Sequence, residues 1–210
     1  PGAAIDGGVR GMRTDVEYRL RRTDGAWINV RHVMEPLEGR ANPEGKWRWF
    51  NSLQDVTEQK RAEEALQASE ERFRAMFEKA AVGITHTDLD GRFVMVNPKL
   101  CEITGYTQEE APSLTFRDLT HPDDVQKSIE FRARLLEGTM APYEREARLV
   151  RKDRSLIWVN ITTSLVRAAD GTPLHFISVL HDISERKTQQ RKIERLSRVY
   201  AVLSGINALI

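Results

Sequence analysis

An internal repeat constrains this chain more than any other feature. Residues 17–24 read EYRLRRTD and residues 146–153 read EARLVRKD, an offset of 129. Residues 52–60 read SLQDVTEQK and residues 179–187 read VLHDISERK, an offset of 127. One change in loop length accounts for the difference, so one unit occurs twice. The first match lies close to residue 1. Residues 1–56 are therefore expected to be the C-terminal half of a first domain. A linker helix over 57–77, a complete domain over 70–187 and a second helix over 186–210 are expected to follow. On this reading both ends of the chain are cuts through a longer protein.

The shared blocks read as strands. Residues 15–22 and 144–151 mix apolar and long charged side chains in partial alternation. Thr23-Asp24-Gly25 signals a turn, and Lys152-Asp153-Arg154 holds the same place in the second copy with a weaker signal. In residues 156–166 the alternation puts Ile157, Val159, Ile161, Thr163 and Leu165 on one face. After the turn at 169–173 comes a strand over 175–181. The short connections predict three successive antiparallel strands. The first copy repeats them at 27–36 and 47–54, around a loop at 39–45.

Between the copies, residues 58–77 lack Gly and Pro. Ala62, Leu66, Ser69, Phe73 and Met76 are spaced 4-3-4-3, a heptad seam. The last segment repeats the device with Ile193, Leu196, Tyr200, Leu203, Asn207 and Ile210. Each helix follows a strand through an Asp: Asp55-Val56-Thr57-Glu58 and Asp182-Ile183-Ser184-Glu185 read as variants of the capping box. From 82 to 141 the pattern predicts a hairpin turning at 88–91 and a short helix opened by Asn97-Pro98. Two helical turns and a long helix from His121-Pro122 to Glu137 complete this stretch.

Composition excludes several classes. Lys plus Arg number 32 against 31 for Asp plus Glu, so no global charge claims a polyanion, and no nucleic acid is expected as partner. Cys101 is the single cysteine, so an internal disulfide is excluded and a reduced, cytoplasmic setting is expected. No apolar run is long enough to span a membrane. Catalysis finds no support: the carboxylates are scattered, Asp123-Asp124 suits a helix N-terminus, Gly7-Gly8 is isolated, and no Gly-x-Ser-x-Gly motif occurs. The chain is expected not to be an enzyme and to hold no metal.

At ERFRAMF (71–77), GITHTD (83–88), DGRF (90–93), VNP (96–98), LCEITGY (100–106), HPDD (121–124) and DISE (182–185), the sequence resembles a PAS domain in order and spacing. Residues 14–60 resemble the C-terminal half of another. The resemblance implies an α+β fold. It consists of a five-stranded antiparallel sheet with helices over one face, flanked by amphipathic, coiled-coil-like linker helices. It further implies a sensory or regulatory module of a multidomain bacterial signalling protein, relaying ligand or partner state through a dimeric helix. The output would be a GGDEF/EAL enzyme or a histidine kinase outside this chain, and a GAF-type domain, an output domain or both would follow in cis. The alternatives are a ligand-free dimerisation module and a haem or flavin sensor of redox state or gas.

The resemblance also places the candidate residues. A small-molecule pocket would lie between sheet and long helix, lined by Ile84, His86, Phe116, Ile129, Leu135, Val159, Ile161 and Val179. The relay would use Asp182 and Ser184, with Asp55 and Thr57 as counterparts. A homodimer would form through Ile193, Leu196, Tyr200 and Leu203. Residues 122–137 contain no His, which argues against haem. Residues 112–118 contain no Cys, which argues against a flavin adduct. Cys101 reads as a buried apolar filler.

Overall fold

A computed structural model describes residues 13–37 and 49–207. The expected loop at 39–45, Trp47, Gly7-Gly8 and the chain end at 208–210 lie outside the described residues. The chain divides into two compact units, residues 1–72 and 73–210.

In the first unit, β1 (Thr14–Arg21), β2 (Trp27–Pro36) and β3 (Trp49–Asp55) form an antiparallel sheet in that order. Helix α1 (Thr57–Glu78) follows β3 after one residue. The second unit holds β4 (Gly83–Thr87), β5 (Phe93–Val96), α2 (Pro98–Thr104), a single 3-10 turn at Ala111–Ser113, α3 (Phe116–Leu119) and α4 (Pro122–Leu136). Three long strands come next: β6 (Tyr143–Val150), β7 (Leu156–Arg167) and β8 (Pro173–Asp182). Helix α5 (Ser184–Asn207) is the last described element. The sheet runs β5-β4-β8-β7-β6, antiparallel throughout. This is the expected five-stranded α+β architecture. The gap between 97 and 142, too long for a hairpin, carries the helices that cover one face.

The repeat extends to the strand register. Glu17 faces Arg31 in the first copy, and Glu146 faces Asn160 in the second. Val30 faces Asp55, and Val159 faces Asp182. Lys60 pairs with Glu17 as Lys187 pairs with Glu146. The β-turn is also duplicated: Gly25 N–H donates to Arg22 O at 3.0 Å, and Arg154 N–H to Arg151 O at 2.9 Å. Both fourth positions are left-handed, φ 88° at Gly25 and φ 70° at Arg154. Glycine adopts that region freely, whereas a side chain costs about 1–2 kcal/mol there. We expect Arg154→Gly to stabilise the second unit by about 1 kcal/mol, less whatever glycine adds to the unfolded chain's entropy. A higher midpoint in thermal unfolding checks this, and a lower one refutes it.

The core of the second unit lies between the sheet's inner face and α2–α4. Phe93, Val96, Leu100, Ile103, Leu119, Ala147, Leu149, Ile157, Val159 and Leu180 form its main cluster. A second, smaller cluster of Leu135, Tyr143 and Phe176 is backed by Phe131, Leu136, Met140 and Leu165. The start of α4 is tied to β6 by charge. Asp124 accepts the backbone N–H of Arg148 at 2.9 Å and both arms of its guanidinium at 3.0 Å. That two-armed bond from Arg148 holds the Asp124 carboxyl below its usual range despite partial burial. Among the described residues, no helix is long and apolar enough to cross a membrane.

Candidate functional site

A cavity of about 50 Å³ lies between the sheet and the helices. Its sheet side is unusually polar. Thr85 and Thr87 of β4, Thr163 of β7 and Ser178 of β8 point into it, and the Thr163 and Ser178 hydroxyls bond at 2.9 Å. Its helix side carries Phe116, Leu119, Thr120, Ser128 and Arg132. Leu100, Leu149, Ile161 and Leu180 supply an apolar wall.

Arg132 is the unusual member. It is 7% exposed, yet one guanidinium nitrogen donates to Thr87 Oγ1 at 2.7 Å and to Asp88 O at 3.3 Å, both uncharged acceptors. Its carbon Cζ lies 3.9 Å from the ring centroid of Phe176 and 4.5 Å from that of Phe116. Arg145, on β6, donates to Ser128 Oγ, and its Nε is buried with no partner. Neither arginine is ion-paired to a carboxylate among the described residues. Burial pushes the Arg132 guanidinium down to about 10, which corresponds to about 3 kcal/mol held against its charged form. Aromatic faces and hydroxyls offset only part of such a penalty.

The candidate pocket residues separate. Phe116 and Ile161 line the cavity. Val159 and Leu135 are buried in the main and the smaller cluster. Ile129 borders a different, shallow groove with Leu89, Arg117 and Leu136. Ile84, His86 and Val179 are displaced by one residue of strand phase. The β4 and β8 side chains that point inward are Thr85, Thr87, Ser178 and Leu180, so their neighbours face outward. The cause is chemical. Alternation was read as apolar-in, and here the inner face of β4 is hydroxyl-bearing where it meets the buried Arg132, whose guanidinium donates to Thr87 Oγ1. On the outer face the His86 ring lies 4.0 Å from that of His175. Burial, then the neighbouring His175, lowers the His86 pKa.

Other candidates fall as follows. His121 is the N-cap of α4, its Nδ1 accepting the Asp123 N–H at 3.3 Å. Cys101 is half-buried against the core, and burial pushes its thiol up. No cluster of His, Cys, Asp and Glu fit for a metal occurs among the described residues.

Asp55, Thr57, Asp182 and Ser184, the residues expected to relay, form a matched pair of junctions. Ser184 N–H donates to Asp182 Oδ1 at 2.8 Å, and Trp158 N–H donates to Ser184 Oγ at 3.0 Å. In the first copy, Thr57 N–H donates to Asp55 Oδ1 at 3.0 Å, and Asn29 N–H to Thr57 Oγ1 at 2.8 Å. Bonds from Thr57, led by its side chain, lower the Asp55 pKa. The anticipated capping box is thus replaced by another device. The Asp bonds the first residue of the helix, and a Ser or Thr hydroxyl, rather than Glu58 or Glu185, makes the second bond, to the neighbouring strand. Leu66, Phe73, Met76, Ile193, Leu196 and Tyr200, the residues expected to form helix seams, are exposed. The side chain of Leu203 lies outside the described residues.

Asn97 carries more than its sequence signal suggested. It is fully buried, and all four of its side-chain bonds are made. Its Oδ1 accepts from Ile84 N–H at 2.8 Å and Leu100 N–H at 3.0 Å. Its Nδ2 donates to Phe77 O at 3.0 Å and Val82 O at 2.9 Å. An Asn-Pro helix start signals only the bond to Leu100.

The family comparison agrees with this geometry. Residues 93–180 match the family model described as the PAS fold. The chain carries a PAS domain. A solved PAS domain of a Colwellia psychrerythraea protein superposes with a TM-score of 0.52 at 20% identity, over 56% of this chain and 98% of that one, which speaks to fold alone. The "Probable diguanylate cyclase DgcE" of Escherichia coli is 36% identical over 132 residues, 62% of this chain and 12% of that protein. Sensor histidine kinase TmoS of Ectopseudomonas mendocina is 34% identical over 134 residues, 64% of this chain and 14% of that protein. The chain thus spans about an eighth of these curated relatives. Its PAS domain is homologous to sensory domains of bacterial signal-transduction proteins.

Proposed function

We propose that this chain is a regulatory segment that senses a small ligand or partner at the second unit. It passes that state through the β8–α5 junction to an output domain elsewhere in its protein, of the diguanylate cyclase or histidine kinase kind. A dimer through α5, with Ile193, Leu196, Tyr200 and Leu203 at the seam, would read the state as a change of helix register. The observation that carries the reading is the duplicated junction. Two strand ends, each with an Asp holding the first turn and a hydroxyl clamping the next strand, enter two long helices in the same geometry. A junction this specified fixes the angle and phase at which the helix departs, which is what a mechanical relay needs.

The test is Asp182→Ala in the full-length protein. It removes the bond from Ser184 N–H and the 3.7 Å contact with Arg151 and costs about 1 kcal/mol, too little to unfold the unit. Output should become insensitive to the signal, while Asp182→Asn, which keeps an acceptor oxygen, should retain most of the response. Normal regulation in Asp182→Ala would sink the relay.

A further inference from the structure

We propose that the cavity beneath the sheet binds a short aliphatic carboxylate, its charge held by Arg132 and Arg145 and its tail by the wall of Leu100, Leu119, Ile161 and Leu180. This deepens the sensory reading and rests on it for its biological meaning, though the binding itself does not.

Three observations converge. The first is charge: two guanidiniums line one cavity, and neither has a carboxylate partner among the described residues. Asp124, whose carboxyl also feels Arg145, is already taken by Arg148. The second is unfilled bonding capacity. Arg145 Nε is buried without an acceptor, and the recorded bonds of Arg132 use a single one of its nitrogens. A guanidinium offers five N–H donors in a planar fork that suits a carboxylate. The third is the mixed lining, in which the two guanidiniums and a few hydroxyls stand beside a larger set of leucine, isoleucine and phenylalanine side chains. A bare oxyanion such as phosphate would strand charge against the apolar side chains, whereas a carboxylate with a short tail matches both kinds of lining. Size narrows the class further. A cavity of about 50 Å³ has room for about four water-sized atoms, which suits acetate or propionate and falls well short of the roughly 300–1,000 Å³ of sites for larger ligands. A bound carboxylate would neutralise the buried charge, so the empty site carries the penalty and the filled one is relieved of it.

The test is calorimetric titration of the whole chain at neutral pH with acetate, propionate, propionamide and inorganic phosphate. Propionate should bind saturably and raise the melting temperature. Propionamide, nearly the same shape without the charge, should not bind, and phosphate should bind at least tenfold more weakly. Arg132→Gln and, separately, Arg145→Gln should each weaken propionate at least tenfold with the circular dichroism spectrum unchanged. Should Arg132→Gln fail to fold, the half-buried Arg145 position still decides. Equal binding of propionamide, tighter binding of phosphate, wild-type affinity in the Arg145 variant or no heat with any carboxylate would each overturn the assignment. In that event a relay that still fails in Asp182→Ala would leave the sensory reading standing with another input.

Discussion

Asn97→Ala should lower the stability of the second unit by about 4 kcal/mol. The estimate is built from what the side chain does. It closes two N–H groups and two carbonyls, in a place with no water-facing surface. Loss of the cap alone costs about 1 kcal/mol, and each buried group left without a partner adds about 1–3 kcal/mol. Local relaxation would recover part of that sum. Against a total of about 5–15 kcal/mol for a domain, the change is large. Thermal or urea unfolding should show it as a shift of the midpoint by well over ten degrees or its equivalent. Asn97→Asp separates the roles. Asp caps a helix as well as Asn does, so a pure cap would tolerate it. The bonds donated to Phe77 O and Val82 O would instead become contacts between a carboxylate and two carbonyls, so Asn97→Asp should be at least as damaging as Ala. A mild effect would show that only the cap matters, and would detach the end of α1 from the stability of the sheet.

Gly91→Ala should cost about 3 kcal/mol, for two separable reasons. Gly91 lies at φ 91°, where any other residue is strained by about 1–2 kcal/mol. An added Cβ would also stand 2.5 Å from Cε1 of Phe116 and closer still to Cδ1. That ring cannot simply withdraw. Phe116 N–H is fixed to Gly91 O at 2.9 Å, and the Arg132 guanidinium packs on its ring with Cζ 4.5 Å from the centroid. The added methyl would therefore have to displace a ring held by its neighbours, a typical overpacking penalty. A double-mutant cycle with Phe116→Ala divides the effect. In that background the steric part should vanish and the backbone part remain. A cost unchanged by removing the ring would assign the whole effect to φ.

How much of this was legible depended on which signal each residue carried. The β7 face was read correctly because Ile157 and Val159 are apolar and inward, so periodicity and burial point the same way. On β4 and β8 the same rule pointed outward, since Thr85, Thr87 and Ser178 border the cavity while Ile84 and Val179 face away from it. Strand alternation reports which face is apolar, and at a polar site the apolar face need not be the inner one. Arg132 could not have been singled out, because an arginine on an amphipathic helix normally reaches solvent. Only the fold shows that its stripe meets two phenylalanines. The junctions were legible because the repeat printed them twice. Their chemistry was half legible: the Asp was identified, but the hydroxyl's reach to Trp158 and Asn29 joins residues 26 and 28 positions apart, which no local motif encodes.

The stacking of Arg132 between Phe116 and Phe176 has a spectroscopic consequence. Two aromatic faces within 4.5 Å of one guanidinium carbon place its side-chain protons inside the ring currents of both. Those resonances should lie far upfield of an ordinary arginine's, in an empty part of the spectrum. Any occupant that turns the guanidinium, or any movement of α4 against β8, changes its tilt to the two rings. The site therefore holds its own label, and its state can be followed by nuclear magnetic resonance without adding a probe.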